Sequence, residues 1–303
     1  MHPINILHIG AGWFGKNHLR VWLALEKLKK INLVGVVEKS KALREKIKKE
    51  YRIPVFDNID VNTLKHVDAV DIVTTTNTHF ELAKKCLRYA NVFVEKPLAE
   101  TVRQARELKR LSDVYGRVLM EGHIFRFHPI IKALKLMFSS KSNQPYYIRG
   151  EFISPFNTWK KGKTAALDNL HLFDILDDIF EKMPIIISGR VRSRVTAAEL
   201  YYPNGMYAVF ELGWRGEEKE RILDFYLRDK IIHCDFGRNF IEIRGGGKQF
   251  YELKTTPLEM ELETFLKAVK KKNVRYADGN IGARIVNIAN QVDRYAKKNT
   301  AKA

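Results

Sequence analysis

Three groups of residues carry chemistry by type and spacing. The first is Gly10-Ala11-Gly12-Trp13-Phe14-Gly15, a G-x-G-x-x-G between the apolar run Ile4–Ile9 and the amphipathic stretch Phe14–Lys29. In that strand–turn–helix setting the motif is a dinucleotide-binding loop. Gly10 permits the tight turn, Gly12 lets backbone approach a pyrophosphate, and Gly15 lets helix pack on strand. Trp13 and Phe14 lead into the helix amino terminus, which faces phosphate charge. The second group is Glu38, 23 positions after Gly15 at the end of the next apolar run. A carboxylate there binds the ribose hydroxyls of NAD and repels a 2′-phosphate, a repulsion that Lys39, Lys41 and Arg44 soften. The third is Glu95-Lys96-Pro97, after the run Val92–Glu95. Side chains at the carboxyl end of a parallel strand face the cofactor crevice. A Lys there hydrogen-bonds a substrate oxygen and stabilises developing alkoxide charge, and a Pro fixes the backbone beside it.

The elements that must position these groups alternate over the first 122 residues. Runs at Ile4–Ile9, Leu33–Val37, Ala69–Thr74, Val92–Glu95 and Val118–Glu121 read as buried strands. Helical patterns at Phe14–Lys29, Lys41–Tyr51, His79–Tyr89 and Thr101–Tyr115 separate them. Strands spaced by helices make βαβ units and a doubly wound parallel sheet. The pattern then changes, near residues 118–125. A helix at Pro129–Phe138, a strand at Tyr146–Ile153 and a helix at Ala165–Phe180 precede strands at Ile185–Thr196, Met206–Trp214, Glu220–Leu227, Lys230–Asp235 and Phe240–Ile243. Strands in succession without helices make a mainly antiparallel sheet. Two helices, Pro257–Lys272 and Asn280–Lys298, finish the chain. The expected class is therefore α/β. A Rossmann-type domain over 1–122 precedes an α+β domain over 123–303.

Composition excludes several classes. At 303 residues, with 45% hydrophobic and 29% charged residues, the chain is globular and long enough for two cores. No apolar run approaches the roughly 20 residues of a membrane span. No signal segment is read where Ile4–Gly10 already forms strand and turn. Two cysteines, Cys86 and Cys234, exclude a disulfide framework and point to a reducing cytoplasmic setting. No metal site is read. The net charge of +18 suggests nucleic acid or an anionic substrate. However, the Lys and Arg residues are spread over helices among acids, with no nucleic-acid-binding motif, so nucleic acid is not expected; a solvated Lys-rich surface and an anionic small substrate are the two readings left.

Four motifs in order resemble the Gfo/Idh/MocA oxidoreductase family across nearly the whole chain. They are Gly10–Gly15 with Thr74-Thr75-Thr76-Asn77-Thr78-His79, then Glu95-Lys96-Pro97, then Gly122-His123-Ile124-Phe125-Arg126-Phe127-His128-Pro129, then Leu167–Asp174 with its H-x-x-D. The short length, the Gly122–Pro129 segment and Ser154-Pro155-Phe156 look most like the nucleotide-sugar 3-dehydrogenases, which oxidise C3 of a UDP-linked N-acetyl sugar. The resemblance implies that Thr75, Asn77 and His79 line the cofactor and that Glu95 contacts the nicotinamide ribose. It also makes Lys96 the catalytic lysine and His171 the general base, both touching substrate, and implies a homodimer or homotetramer. Where many members carry an acid or amide four positions before that His, this chain has Leu167; Asp168 stands three before and could share a helix face with it. Asp174, three after, either orients the imidazole or is a helix carboxylate. Arg126 either grips substrate phosphate or pairs with an acid, the second being preferred. Trp159, Lys160, Lys161 and Lys163 either cover an anionic substrate or form a solvated loop, the second again being preferred. The rivals to a nucleotide-sugar substrate are a free polyol or sugar, and an NAD-binding regulator without turnover.

Overall fold

In the computed structural model, residues 3–158 and 164–300 are described. They divide into two units, Met1–His123 with Leu258–Ala283, and Ile124–Pro257 with Arg284–Ala303.

The first unit is built on six parallel strands: β1 (Ile4–Ile9), β2 (Ile31–Val37), β3 (Val55–Phe56), β4 (Ala69–Ile72), β5 (Asn91–Glu95) and β6 (Leu119–Gly122). Their order is β3-β2-β1-β4-β5-β6. The direction of winding reverses between β1 and β4, which opens a crevice beyond their carboxyl ends, where doubly wound sheets bind ligands. Ile6, Leu7, Val70, Ile72, Val92, Phe93 and Val94 are fully buried, as expected of strands covered on both faces. Five helices intervene: α1 (Gly15–Lys27), α2 (Lys41–Tyr51), α3 (Val61–Lys65), α4 (Thr76–Cys86) and α5 (Val102–Val114). Ser40 caps α2 through the Leu43 amide, and a Thr101/Gln104 capping box starts α5. The two-residue β3 and five-residue α3 have no counterpart in the sequence reading, because elements so short show no periodicity.

The helix Pro257–Val269 completes this core: Phe265, fully buried, meets Phe93 edge-on at 5.7 Å. Farther on, the Glu121 amide donates to the Ala277 carbonyl at 2.9 Å.

The second unit is an eight-stranded sheet: β7 (Tyr147–Ser154), β8 (Ile186–Arg192), β9 (Val195–Tyr201), β10 (Tyr207–Trp214), β11 (Glu220–Tyr226), β12 (Ile231–Asp235), β13 (Phe240–Ile243) and β14 (Lys248–Phe250). Its order is β14-β13-β12-β11-β7-β10-β9-β8, antiparallel except where β7 pairs with β10. Ile148, Phe152, Phe210, Leu212, Leu223 and Phe225 bury one face. The expected strand Ile185–Thr196 is instead a hairpin of β8 and β9, turning at Ser193 with φ 57°. No Gly or Pro marks that turn, so the sequence hides it. The helices here are α6 (Pro129–Met137), α7 (Ala165–Asp168) and α8 (His171–Phe180). The single helix expected over Ala165–Phe180 is thus broken at Asn169-Leu170.

Replacing Phe265 by Ala removes a ring from the first unit's core. We expect a loss of about 3–5 kcal/mol, read by urea unfolding. A loss under about 1 kcal/mol would contradict the packing described.

Candidate functional site

The three loop glycines differ in what surrounds them. Gly10 has φ +96°, and a Cβ there would lie 2.4 Å from the Val73 carbonyl oxygen, so the turn admits no side chain. A Cβ on Gly15 would lie 2.0 Å from the Gly10 carbonyl oxygen, so the start of α1 packs directly on the turn. A Cβ on Gly12 would meet nothing within 4 Å. Two glycines are therefore demanded by the loop itself, and the third faces open space at the head of a 13-residue helix. That is the arrangement a pyrophosphate needs, and the loop fits a dinucleotide. Trp13 beside it is 85% exposed, and Phe14 packs edge-on against His18 at 5.2 Å.

Glu38 ends β2 and turns back onto the loop. One carboxylate oxygen accepts from the Ala11 amide (2.8 Å), the other from the Ser40 amide (2.9 Å). Each oxygen keeps a second lone pair for a ligand hydroxyl. Arg44, which the sequence offered as a phosphate partner, donates through Nη1 to the carbonyls of Glu38 and Lys39.

The turn after β5 is held from three directions. Glu121 Oε1 accepts from the Leu98 amide (2.7 Å), His79 Nδ1 donates to the Pro97 carbonyl (2.7 Å), and Glu95 Oε2 accepts from the Lys96 amide (3.1 Å). Lys96 itself is half-buried. His79 is 1% exposed, and its other ring nitrogen lies 3.1 Å from the Thr74 carbonyl. The expectation that His79 lines the cofactor is corrected: its ring is buried, with Nδ1 turned to the Pro97 carbonyl. Thr75 and Asn77 lie at the exposed start of α4, hydrogen-bonded to each other at 2.7 Å.

Behind the turn lies a buried cluster absent from the sequence reading. Asp71 on β4 receives His8 Nδ1 (2.8 Å), Trp22 Nε1 (2.6 Å) and His18 Nδ1 (3.1 Å). The other nitrogen of His18 lies 3.2 Å from Glu95 Oε1. His8, His18, Trp22 and Asp71 are fully buried, and Glu95 is 8% exposed. Ionised carboxylates only accept, so both His18 nitrogens must donate, and the ring is an imidazolium. Burial opposes that charge, but Asp71 and Glu95 outweigh it and push the imidazole up to about 10. For Asp71, burial is likewise outweighed by His18 and His8, which hold the carboxyl well below its usual range. Gly122 leaves room for the Glu95 carboxylate, since a Cβ there would lie 2.7 Å from Oε1. A visible signal existed: His8 and Asp71 are polar residues flanked on both sides by apolar ones in their strands.

In the second unit His171 is the first residue of α8, with its ring 4.9 Å from Phe125 edge-on. Asp168 ends α7, on the far side of the break, so the shared helix face expected for Asp168 and His171 does not exist. Arg126 takes the acid-pairing reading preferred from the sequence, and Asp174 is one of its acids. Arg126 donates from Nε to Asp174 (2.7 Å), from Nη2 to Asp177 (3.0 Å) and from Nη1 to Asp178 (3.2 Å), with its side chain 7% exposed. Asp174 is fully buried, so neither side chain is open to a substrate. Lys135 joins Asp178 and Arg284 joins Asp177, so three cations meet three anions. Trp159, Lys160, Lys161 and Lys163 lie outside the described residues.

Comparison with known proteins agrees with this arrangement. Residues 4–123 match the profile of the Gfo/Idh/MocA group, an oxidoreductase family with an NAD-binding Rossmann fold. The chain is 27% identical to the UDP-N-acetylglucosamine 3-dehydrogenase of Acidithiobacillus ferrooxidans over 304 aligned positions, covering 94% of each. A crystal structure of that protein superposes with a TM-score of 0.87 at 25% identity, over 98% of this chain and 99% of the other. The inositol 2-dehydrogenase of Rhizobium meliloti is 34% identical over 131 residues, 42% of this chain and 38% of that one.

The buried cluster makes stability depend on pH. The His18 pKa is raised, so its contribution is complete below its ordinary 6.5 and is lost as pH rises through about 10. The Asp71 pKa is lowered, so its contribution is complete above its ordinary 3.8 and is lost as pH falls below that. We expect urea unfolding free energy to fall between pH 7 and 10 more steeply in the wild type than in Asp71→Asn. Equal slopes would contradict the shared charge.

Proposed function

We propose that this chain, whose residues 4–123 match the Gfo/Idh/MocA family of NAD-binding oxidoreductases, is a dehydrogenase that transfers a hydride between NAD and C3 of a UDP-linked N-acetyl sugar. The observation that carries the cofactor half is the contrast among the loop glycines, two closed by the fold and one facing open space. The substrate half rests on the likeness to a UDP-N-acetylglucosamine 3-dehydrogenase along nearly the whole of both chains.

Nicotinamide, when bound, supplies the hydride acceptor or donor. Gly12 and the head of α1 hold the pyrophosphate, with Trp13 and Phe14 beside it. Glu38 offers its remaining lone pairs to the adenosine ribose hydroxyls. Thr75, Asn77 and Glu95 border the nicotinamide half. Lys96 hydrogen-bonds the reacting oxygen and stabilises its negative charge, and His171 takes the hydroxyl proton. The second unit's sheet serves an assembly of two or four copies in the cytoplasm. A free polyol is the second reading, favoured by the likeness to inositol 2-dehydrogenase over part of the chain.

Absorbance at 340 nm with UDP-N-acetylglucosamine, the free sugar and myo-inositol as substrates tests this. Turnover only with inositol would replace the nucleotide-sugar reading by the second one. Lys96→Met and His171→Ala should keep NADH affinity and lose turnover by roughly 10²–10⁴ for the base. Full activity in His171→Ala would move the base elsewhere. Glu38→Ala should narrow a wild-type preference for NADH over NADPH, measured by cofactor fluorescence. Tighter NADPH binding by the wild type would reject NAD as the cofactor.

A further inference from the structure

Arg221 on β11 is a cation without an anion. Strand alternation puts it on the same face as Leu223 and Phe225, the buried side of the sheet. It stands opposite Phe152 on β7, with its guanidinium carbon 5.1 Å from that ring. Nη1 donates to the carbonyls of Ile153 and Glu220 (2.6 Å each), and Nη2 to Ser154 Oγ (2.9 Å). Arginine has five N–H donors. The Nε–H and one Nη2–H are left without a partner among the described residues, and Nε is not sealed from solvent. These atoms lie along the edge with which arginine grips a phosphate or carboxylate bidentately.

Among the described residues no carboxylate pairs with this guanidinium. The nearby acids serve Arg215 instead, which binds Glu151, Glu211 and Glu220. Burial alone lowers the Arg221 pKa to about 10. Lys219, two residues earlier, is lowered by burial and then by the Arg221 charge. Two cations thus repel each other at the end of a strand, an arrangement that an anion relieves.

The place matters as much as the charge. Phe152 meets Phe125 at 5.4 Å, and Phe125 meets His171 at 4.9 Å. An aromatic floor therefore runs from His171 to Arg221 within one unit, setting the cation off from the base rather than beside it.

We propose that Arg221, with Lys219 and Ser154, forms an anion subsite that takes the diphosphate of a nucleoside-diphosphate sugar. This deepens the nucleotide-sugar reading of the His171 site and rests on it. The fork edge of Arg221 binds the phosphate oxygens, Lys219 adds charge at the mouth, and the Phe152–Phe125 floor carries the sugar toward His171.

The test is calorimetric binding of UDP and of uridine to protein saturated with NADH, which keeps the dinucleotide loop filled. The wild type should bind UDP well above uridine. Arg221→Gln should weaken UDP about tenfold or more, Arg221→Lys and Lys219→Gln less, and none should change uridine. With UDP-N-acetylglucosamine, KM should rise in parallel while kcat stays within about twofold. Unchanged UDP affinity in Arg221→Gln would overturn the subsite, as would glucuronate displacing UDP at equal concentration. If Arg221→Gln does not fold, Lys219→Gln and Arg221→Lys decide, and unchanged UDP affinity in both overturns it. UDP binding that depends on Arg221 without turnover of any UDP-sugar would sink the dehydrogenase reading and keep the subsite. Turnover with an unchanged KM in Arg221→Gln would do the reverse.

Discussion

One imidazolium held between two carboxylates organises the first unit. Asp71 and Glu95 sit at the ends of adjacent strands of the sheet and would repel each other in a dry interior. His18 reaches up from α1 and bonds both. Removing one member of a buried ion group is expected to cost about 3–5 kcal/mol, because a desolvated charge is stranded. Through this one ring the helix begun by the glycine loop is tied to the carboxylate that positions the Lys96 amide. Two segments 80 residues apart in sequence, Gly10–Gly15 and Glu95–Pro97, thereby share one anchor.

The second unit uses charge in a different way. Its six-member group around Arg126 balances three cations with three aspartates and fixes α8 against the neighbouring 3₁₀ turn Ile124–Phe127. That anchoring gives His171 a defined place at the start of α8, while its ring packs on Phe125. Arg221 stands apart from this pattern, since its neighbours supply only carbonyls and a hydroxyl.

Much of this was legible in the sequence. The glycine loop, the strand–helix alternation and the change to successive strands depend on local pattern, which the βαβ rule turns into a parallel sheet; the order of its strands comes from the structure alone. The halves of the site written in single residues were harder to read. Arg126 was weighed toward an acid's partner, but its three aspartates lie on a helix about 50 positions away, where no spacing rule points. His79 misled because a motif position does not say which way a ring points. Asp168 misled because an i,i+3 argument assumes one helix, and Asn169-Leu170 breaks it without Gly or Pro. The His8–Asp71–His18–Glu95 chain joins four separate elements, and no spacing rule reaches across them.

The charge on His18 is the feature on which this account stands or falls. Nitrogen-15 NMR of protein labelled at histidine, recorded at pH 8.5 without ligand, measures it directly. The account predicts that both His18 ring nitrogens carry protons at that pH and that both protons exchange slowly. A His18 ring with one bare nitrogen at pH 8.5 would contradict the shared-charge anchor and leave the turn at Glu95 without its explanation.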